Sequence, residues 1–200
     1  QFDDGGILPV WELSGNETYC MIGYHSVPVI ADAIMKGIGD FDKESIFKAM
    51  IGSAMKDHLG LKEYREFNFV PGDLEHESVS KTLEYCFDDW CISQVAKKLG
   101  KTDDFTIFNK RAQFYKNVFD PQTKFMRARF NGGWYKPFTP TEVNNNYTEG
   151  NSWQYSFYAP QDVNTLIEMY GGKKQFYTRL DEMFTTEDKL SGRDQADLTG

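Results

Sequence analysis

Residues 77–99 carry two apolar stripes side by side at helical spacing, Val79, Leu83, Cys86 and Trp90 on one, Phe87, Cys91, Val95 and Leu99 on the other. A helix at the surface of a domain buries one such stripe; two adjacent stripes demand cover on most sides. Residues 18–37 read as a second helix apolar nearly all round, kinked at Pro28, whose ring removes a hydrogen bond and clashes one turn back. Residues 42–58 read as an amphipathic helix with Ile46, Phe47, Met50, Ile51 and Met55 inward, and Gly60 and Gly72 bracket a loop around Pro71. A helix over 103–118 turns Phe105, Phe108, Ala112, Tyr115 and Val118 inward. After Pro160 a helix buries Val163, Leu166, Ile167 and Tyr170, and after Gly171-Gly172 another buries Phe176, Leu180, Met183 and Phe184, ahead of a polar tail over 185–200.

Between 120 and 148 the helical period is lost to Pro, Gly, Asn and Thr. Residues 125–130 alternate like a short strand, and Asn131-Gly132 signals a hairpin turn. A loop of this length inside a compact domain is often functional. The expected fold class is all-α: two concentric layers of helices, as in an α/α toroid, with one long loop containing a short β-hairpin. An ordinary bundle rarely needs so many helices apolar all round.

The formal net charge is −8 and no Lys/Arg cluster interrupts it, which argues against nucleic acid and anionic membrane surfaces as partners. The longest uncharged stretch, 18–31, is too short to span a bilayer. Cys20, Cys86 and Cys91, an odd number without CxxC spacing, make neither a disulfide framework nor a zinc site; they lie in apolar runs and read as buried free thiols. Aromatic residues make up 16% of the chain, as core filler or as flat faces for sugar rings.

The stretch 147–155 sets Glu149 between a loop and a helix start, among Tyr147, Trp153 and Tyr155. Aromatic walls desolvate a carboxyl group and raise its pKa, as a glycosidic acid requires. Asn151 and Gln154 could orient it or bind sugar hydroxyls. The competing reading is a Glu that favours a helix N-terminus. Asp88 and Asp89 point about 100° apart on a helix, so both cannot face one ligand. One could bind a sugar or a cation, or both could be structural acids with Arg or backbone partners. His25 is either a satisfied core residue or a ligand group. Trp11, Asn16 and Glu17 combine a stacking ring with polar acceptors ahead of the 18–37 helix, which Ser14 or Asn16 could cap. His58 and His76 read as surface or loop residues.

Five stretches resemble glycoside hydrolase family 92, the calcium-dependent α-mannosidases. They are 8–32 (LPVWELSGNETYCMIGYHSVPVIAD), 77–100 (ESVSKTLEYCFDDWCISQVAKKLG), 111–127 (RAQFYKNVFDPQTKFMR), 147–155 (YTEGNSWQY) and the closing DLTG. The resemblance implies that residues 1–200 are an incomplete segment of one (α/α)6 catalytic domain, without the family's N-terminal β-sandwich or the later part of the toroid. It implies exo-acting, inverting removal of mannose from mannose-containing glycans, of the α-1,2 type, and a periplasmic or secreted protein. Glu149 carries over as the general acid, while Trp11, Asn16, Glu17, His25, Asp88, Asp89, Asn151 and Gln154 would line the sugar pocket. Ca2+ is implied as cofactor, with its ligands outside this segment. The general-base motif is also absent, so the segment alone is expected to be inactive and to self-associate through exposed toroid faces. Two alternatives stand beside this: another glycosidase or sugar phosphorylase on the same toroid, and a non-catalytic carbohydrate-binding or scaffold protein.

Overall fold

The computed structural model describes residues 2–187 and 189–192; the closing DLTG lies outside them. The helices are α1 (Phe2–Gly5), α2 (Ser26–Lys36), α3 (Lys43–Met55), α4 (Leu61–Phe67), α5 (Ser78–Lys98), α6 (Thr102–Arg111), α7 (Ser152–Tyr155), α8 (Val163–Tyr170) and α9 (Lys173–Thr185). A 3-10 turn at Phe114–Asn117 follows α6. Three two-stranded antiparallel hairpins interrupt them: β1 (Glu12–Leu13) with β2 (Asn16–Glu17), β3 (Phe119–Asp120) with β4 (Phe125–Met126), and β5 (Arg129–Phe130) with β6 (Gly133–Trp134).

Most of the double stripe of α5 is buried, Val79, Leu83, Cys86, Cys91 and Val95 among it, while Phe87, Trp90 and Leu99 are half-buried. Val79, Leu83, Cys86, Ile92 and Val95 have essentially no exposure, and α2, α3, α6 and the 3-10 turn pack around the helix. A third face of α5 is buried too, through Ser80, Lys81, Asp88 and Asp89. Asp42 caps α3 by accepting from the Glu44 amide at 3.0 Å. Gly37, in the left-handed region at φ 71°, closes α2, with the Ile38 amide reaching back to Ala33.

Several expectations are corrected. The helix expected over 18–37 begins only at Ser26. Gly23 bends the chain at φ +82°, and the Tyr24 amide is taken by the Asp88 carboxylate rather than by a helical carbonyl. Pro28 therefore falls in the first turn of α2, where its missing N–H had no helical partner, and no kink is needed. Cys20, freed from that helix, is exposed, whereas Cys86 and Cys91 are buried. Ser14 and Asn16 do not cap a helix: Ser14 (φ 53°) and Gly15 (φ 81°) form the tight turn between β1 and β2. The loop around Pro71 is preceded by α4, whose Leu61 and Tyr64 are buried. The helix expected over 103–118 stops at Arg111 and continues as the 3-10 turn. Residues 125–130 divide into β4 and β5, with Asn131-Gly132 turning β5 into β6 as expected. Met55, Val163 and Phe184, expected inward, are exposed.

Candidate functional site

Glu149 stands at the surface on a backbone bent into the left-handed region, φ 46°. Such a conformation is uncommon for a residue with a side chain and persists where the surroundings fix it. Here they do. The Thr148 amide donates to Ser80 Oγ on α5 at 2.9 Å, and the Tyr155 hydroxyl donates to the Thr148 carbonyl at 2.7 Å. A Cβ on Gly150 would lie 2.9 Å from Gln154 Oε1 and 3.0 Å from the Tyr155 ring, so any larger residue would push against the two side chains that hold this loop.

Beyond it Asn151 and Gln154 form a capping box for α7. Asn151 Oδ1 accepts the Trp153 amide at 3.0 Å, and Gln154 Oε1 accepts the Asn151 amide at 2.9 Å. Both side chains thus hold the backbone rather than the Glu149 carboxylate. The aromatic enclosure expected around Glu149 is also corrected: Tyr147 reaches away to the Met126 carbonyl, Tyr155 holds Thr148, and the carboxylate is exposed. Thr148 Oγ1, next to it, is buried with no hydrogen-bond partner among the described residues.

Ser80, Glu84 and Asp88 repeat every four residues and so share one face of α5. Eight residues of helix advance about 12 Å. At one end Ser80 holds the Glu149 loop. At the other, Asp88, wholly buried, accepts the Tyr24 amide on Oδ2 at 2.8 Å and pairs Oδ1 with His25 Nδ1 at 2.9 Å. Between them Glu84 Oε2 accepts the Tyr158 hydroxyl at 2.7 Å and lies 3.5 Å from His25 Nε2. An ionised Asp88 can only accept, which makes Nδ1–H its donor and turns Nε2 toward Glu84.

Burial works against a charged His25, but the hydrogen bond and charge of Asp88, helped by Glu84, outweigh it and hold the imidazole pKa above its ordinary value. Burial pushes the carboxyl pKa of Glu84 up, against the lowering effect of Tyr158 and His25. Glu84 and Tyr158 did not stand out in sequence. The four-residue spacing from Ser80 through Glu84 to Asp88 was the available signal.

Asp89 points elsewhere. Its carboxylate is wholly enclosed by the Tyr24 hydroxyl at 2.5 Å, the Tyr64 hydroxyl at 3.0 Å and Arg111 Nε at 2.8 Å. Arg111 lies over the Tyr64 and Phe108 rings. Of the two acids, Asp89 is the one with an Arg partner in the core, and Asp88 the one that meets the site.

Trp11, Asn16 and Glu17 are on the β1–β2 hairpin, which the Ser26 hydroxyl ties to the start of α2 through the Pro9 carbonyl. Partial burial would raise the Glu17 pKa, but amides of Val10, Tyr19, Trp11 and Thr18 hold it below the usual value. Asn16 Nδ2 donates to the Ser14 carbonyl, while Trp11 is exposed. The structure therefore brings His25, Asp88 and Glu84 together, gives Glu17, Asn16, Asn151 and Gln154 local partners, and gives Asp89 distant ones in the core. Among the described residues no group of three or more His, Cys, Asp or Glu side chains is placed to hold a metal ion, and no helix is long and apolar enough to cross a membrane.

Against known proteins, residues 1–199 match the family model described as the glycosyl hydrolase family 92 catalytic domain. The chain is similar to the family GH92 α-mannosidase BT3965 from Bacteroides thetaiotaomicron, 52% identical at a TM-score of 0.86 over 90% of this chain and 25% of that one. A second structure of the same protein, at 49% identity and a TM-score of 0.87, is a complex with mannoimidazole, covering 92% of this chain and 26% of that one. The family GH92 inverting mannosidase BT2199 from the same organism is 34% identical at a TM-score of 0.87, over 94% of this chain and 27% of that one. An uncharacterized secreted glycosidase from Arthroderma benhamiae is 26% identical over 88% of this chain and 28% of its own length. The chain thus spans about a quarter of the length of these relatives. The helices with small hairpins match the corresponding part of their fold, as expected of a segment of an (α/α)6 toroid.

Proposed function

The chain belongs to glycosyl hydrolase family 92, and we propose that the protein carrying it is an exo-acting α-mannosidase that removes terminal mannose from glycans with inversion, Glu149 serving as the general acid. The observation that carries the assignment is the presentation of Glu149: an accessible carboxylate on a left-handed backbone, fixed from α5 through Ser80 and from α7 through Tyr155. A fixed, accessible acid beside a sugar can protonate the glycosidic oxygen as its bond to the anomeric carbon breaks. A second carboxylate, roughly 6.5–9.5 Å away in inverting enzymes, takes the proton of the attacking water. His25 faces the sugar in this reading, held from behind by the buried Asp88, and Trp11 stacks on a ring. The partners of Asn16, Glu17, Asp89, Asn151 and Gln154 favour roles in positioning.

An α-1,2 linkage and a secreted or periplasmic location complete the reading. The similarity to a secreted glycosidase supports the location. In this reading residues 1–200 are a part of one (α/α)6 domain, and the general base is supplied from elsewhere in the protein. The described residues offer no cluster of acids and histidines for the calcium that the family implies, so no step is assigned to that ion.

Steady-state kinetics of the full-length protein test the acid. Glu149→Gln should lower kcat on a mannose disaccharide about 10²–10⁴-fold. An aryl mannoside with a good leaving group should lose less, because its oxygen needs less protonation. Undiminished disaccharide turnover would overturn the assignment. Residues 1–200 alone, supplied with calcium, should leave both substrates intact; turnover abolished by Glu149→Gln would refute that.

A further inference from the structure

The three acids on α5 are satisfied to different degrees. Asp89 has two phenols and a guanidinium and no exposure. Asp88 has a backbone amide and an imidazole and no exposure. Glu84 has one phenol at 2.7 Å and an imidazole at 3.5 Å, with its side chain still 16% exposed. An ionised carboxylate has about four acceptor sites. Half-burying one costs free energy unless those sites are used. Where this helix holds an acid in the core, it supplies charged or multiple donors; at Glu84 it does not. The facing His25 has the complementary surplus. Its Nδ1 is committed to Asp88, its side chain is 36% exposed, and its Nε2 stands too far from Glu84 for a strong direct hydrogen bond.

On the protonated ring Nε2–H is a donor 3.5 Å from the Glu84 acceptor, both reachable from solvent, and together they match a hydroxyl that donates to Glu84 and accepts from Nε2–H. Half-buried aromatic rings flank them: Tyr158 on Glu84, and Phe87 edge-on to Tyr158 at 6.5 Å. We propose that Glu84 and His25 are a specificity pair that reads one hydroxyl of the terminal pyranose, with Tyr158 and Asp88 as the residues that position them. The proposal rests on the mannosidase reading for the identity of the sugar. It adds Glu84 and Tyr158 to the site, about one helical turn from the Ser80 anchor of Glu149.

The test is a cycle of variants against aryl α-mannosides lacking the 2-, 3-, 4- or 6-hydroxyl, with the full-length protein. On the intact mannoside Glu84→Gln should raise KM about ten- to a hundredfold, as expected for a lost charge-assisted hydrogen bond. One deoxy substrate should show no further loss in Glu84→Gln, because the hydroxyl that Glu84 reads is already gone; the other three should keep the full penalty. Equal penalties on all four, or an unchanged KM, would overturn the pair as a reader of one hydroxyl.

Tyr158→Phe keeps the carboxylate and guards against misfolding of the first variant. It should raise KM several-fold with the same substrate pattern, and a loss spread evenly over the four would count against the proposal. If the unmodified protein turns over no mannoside, the mannosidase reading fails by itself. The cycle is then run by calorimetry on mannose, glucose and galactose. Binding weakened by Glu84→Gln would sustain the pair, and binding of none, or equal binding by both proteins, would refute it.

Discussion

His25 lies between Asp88, from which water is excluded, and Glu84, which water still reaches. That asymmetry decides what its protonation does. Its pKa is raised in the folded protein: burial opposes the charge, and Asp88 and Glu84 overcome it. Folding therefore favours the protonated ring. The stabilisation is fully present below the unfolded value, about 6.5, and is lost as pH rises through the higher folded value. The gap in thermal midpoint between the wild type and His25→Asn should be widest near pH 6 and shrink on the alkaline side. A gap that widens with pH would contradict the sign. Asp89 makes a useful contrast, because its guanidinium partner keeps its charge over the same range. From sequence the roles of the two acids could not be separated. Their neighbours arrive from Tyr24, Tyr64 and Arg111, which only the folded chain brings together.

At the level of elements, the turn before α2 governs where His25 sits. Gly23 has φ +82°, and a Cβ there would lie 2.4 Å from His25 Nε2. The glycine serves both the bend and the imidazole packed over it. Gly23→Ala should cost about 1–2 kcal/mol from the left-handed backbone alone and should also displace the ring from Glu84. Thermal unfolding and KM should therefore both change, and a stable variant with normal KM would show that the ring has another resting place. This turn is also where local pattern failed. Met21 and Ile22 extend the apolar run of α2 backwards, yet the Tyr24 amide is claimed by Asp88, 64 positions away. The short α4 was illegible for another reason: seven residues with Leu61 and Tyr64 inward are too few to establish a period. By contrast α5 was legible along its whole length, because its stripes repeat over 21 residues. Asn131-Gly132 was legible because the left-handed conformation at both positions, φ 48° and 75°, is what this dipeptide tolerates. Glu84 shows the middle case. Its place on the face of Asp88 follows from spacing, but its partner Tyr158 comes from 74 residues later.

Across the whole molecule the apolar surface is unevenly distributed. Trp11 and Leu13, two residues apart on an extended segment and so on one side of it, are 55% and 66% exposed. Tyr177 and Phe184, seven apart on α9 and so on one helical face, are 56% and 77% exposed. Scattered single apolar residues are ordinary on a protein surface, but paired large ones on two separate elements favour cover by other protein. In a toroid each helix of one layer is covered by helices of the next, and this chain spans about a quarter of the length of its relatives. Residues 1–200 alone should then associate. In sedimentation velocity they should run heavier than the 23.1 kDa monomer, increasingly so with concentration. Leu13→Ser combined with Phe184→Ser should shift the distribution back toward the monomer, because neither side chain contributes to the buried core. A monomer that persists at high concentration would mean that these faces tolerate water, and association unchanged by the double variant would place the contact elsewhere.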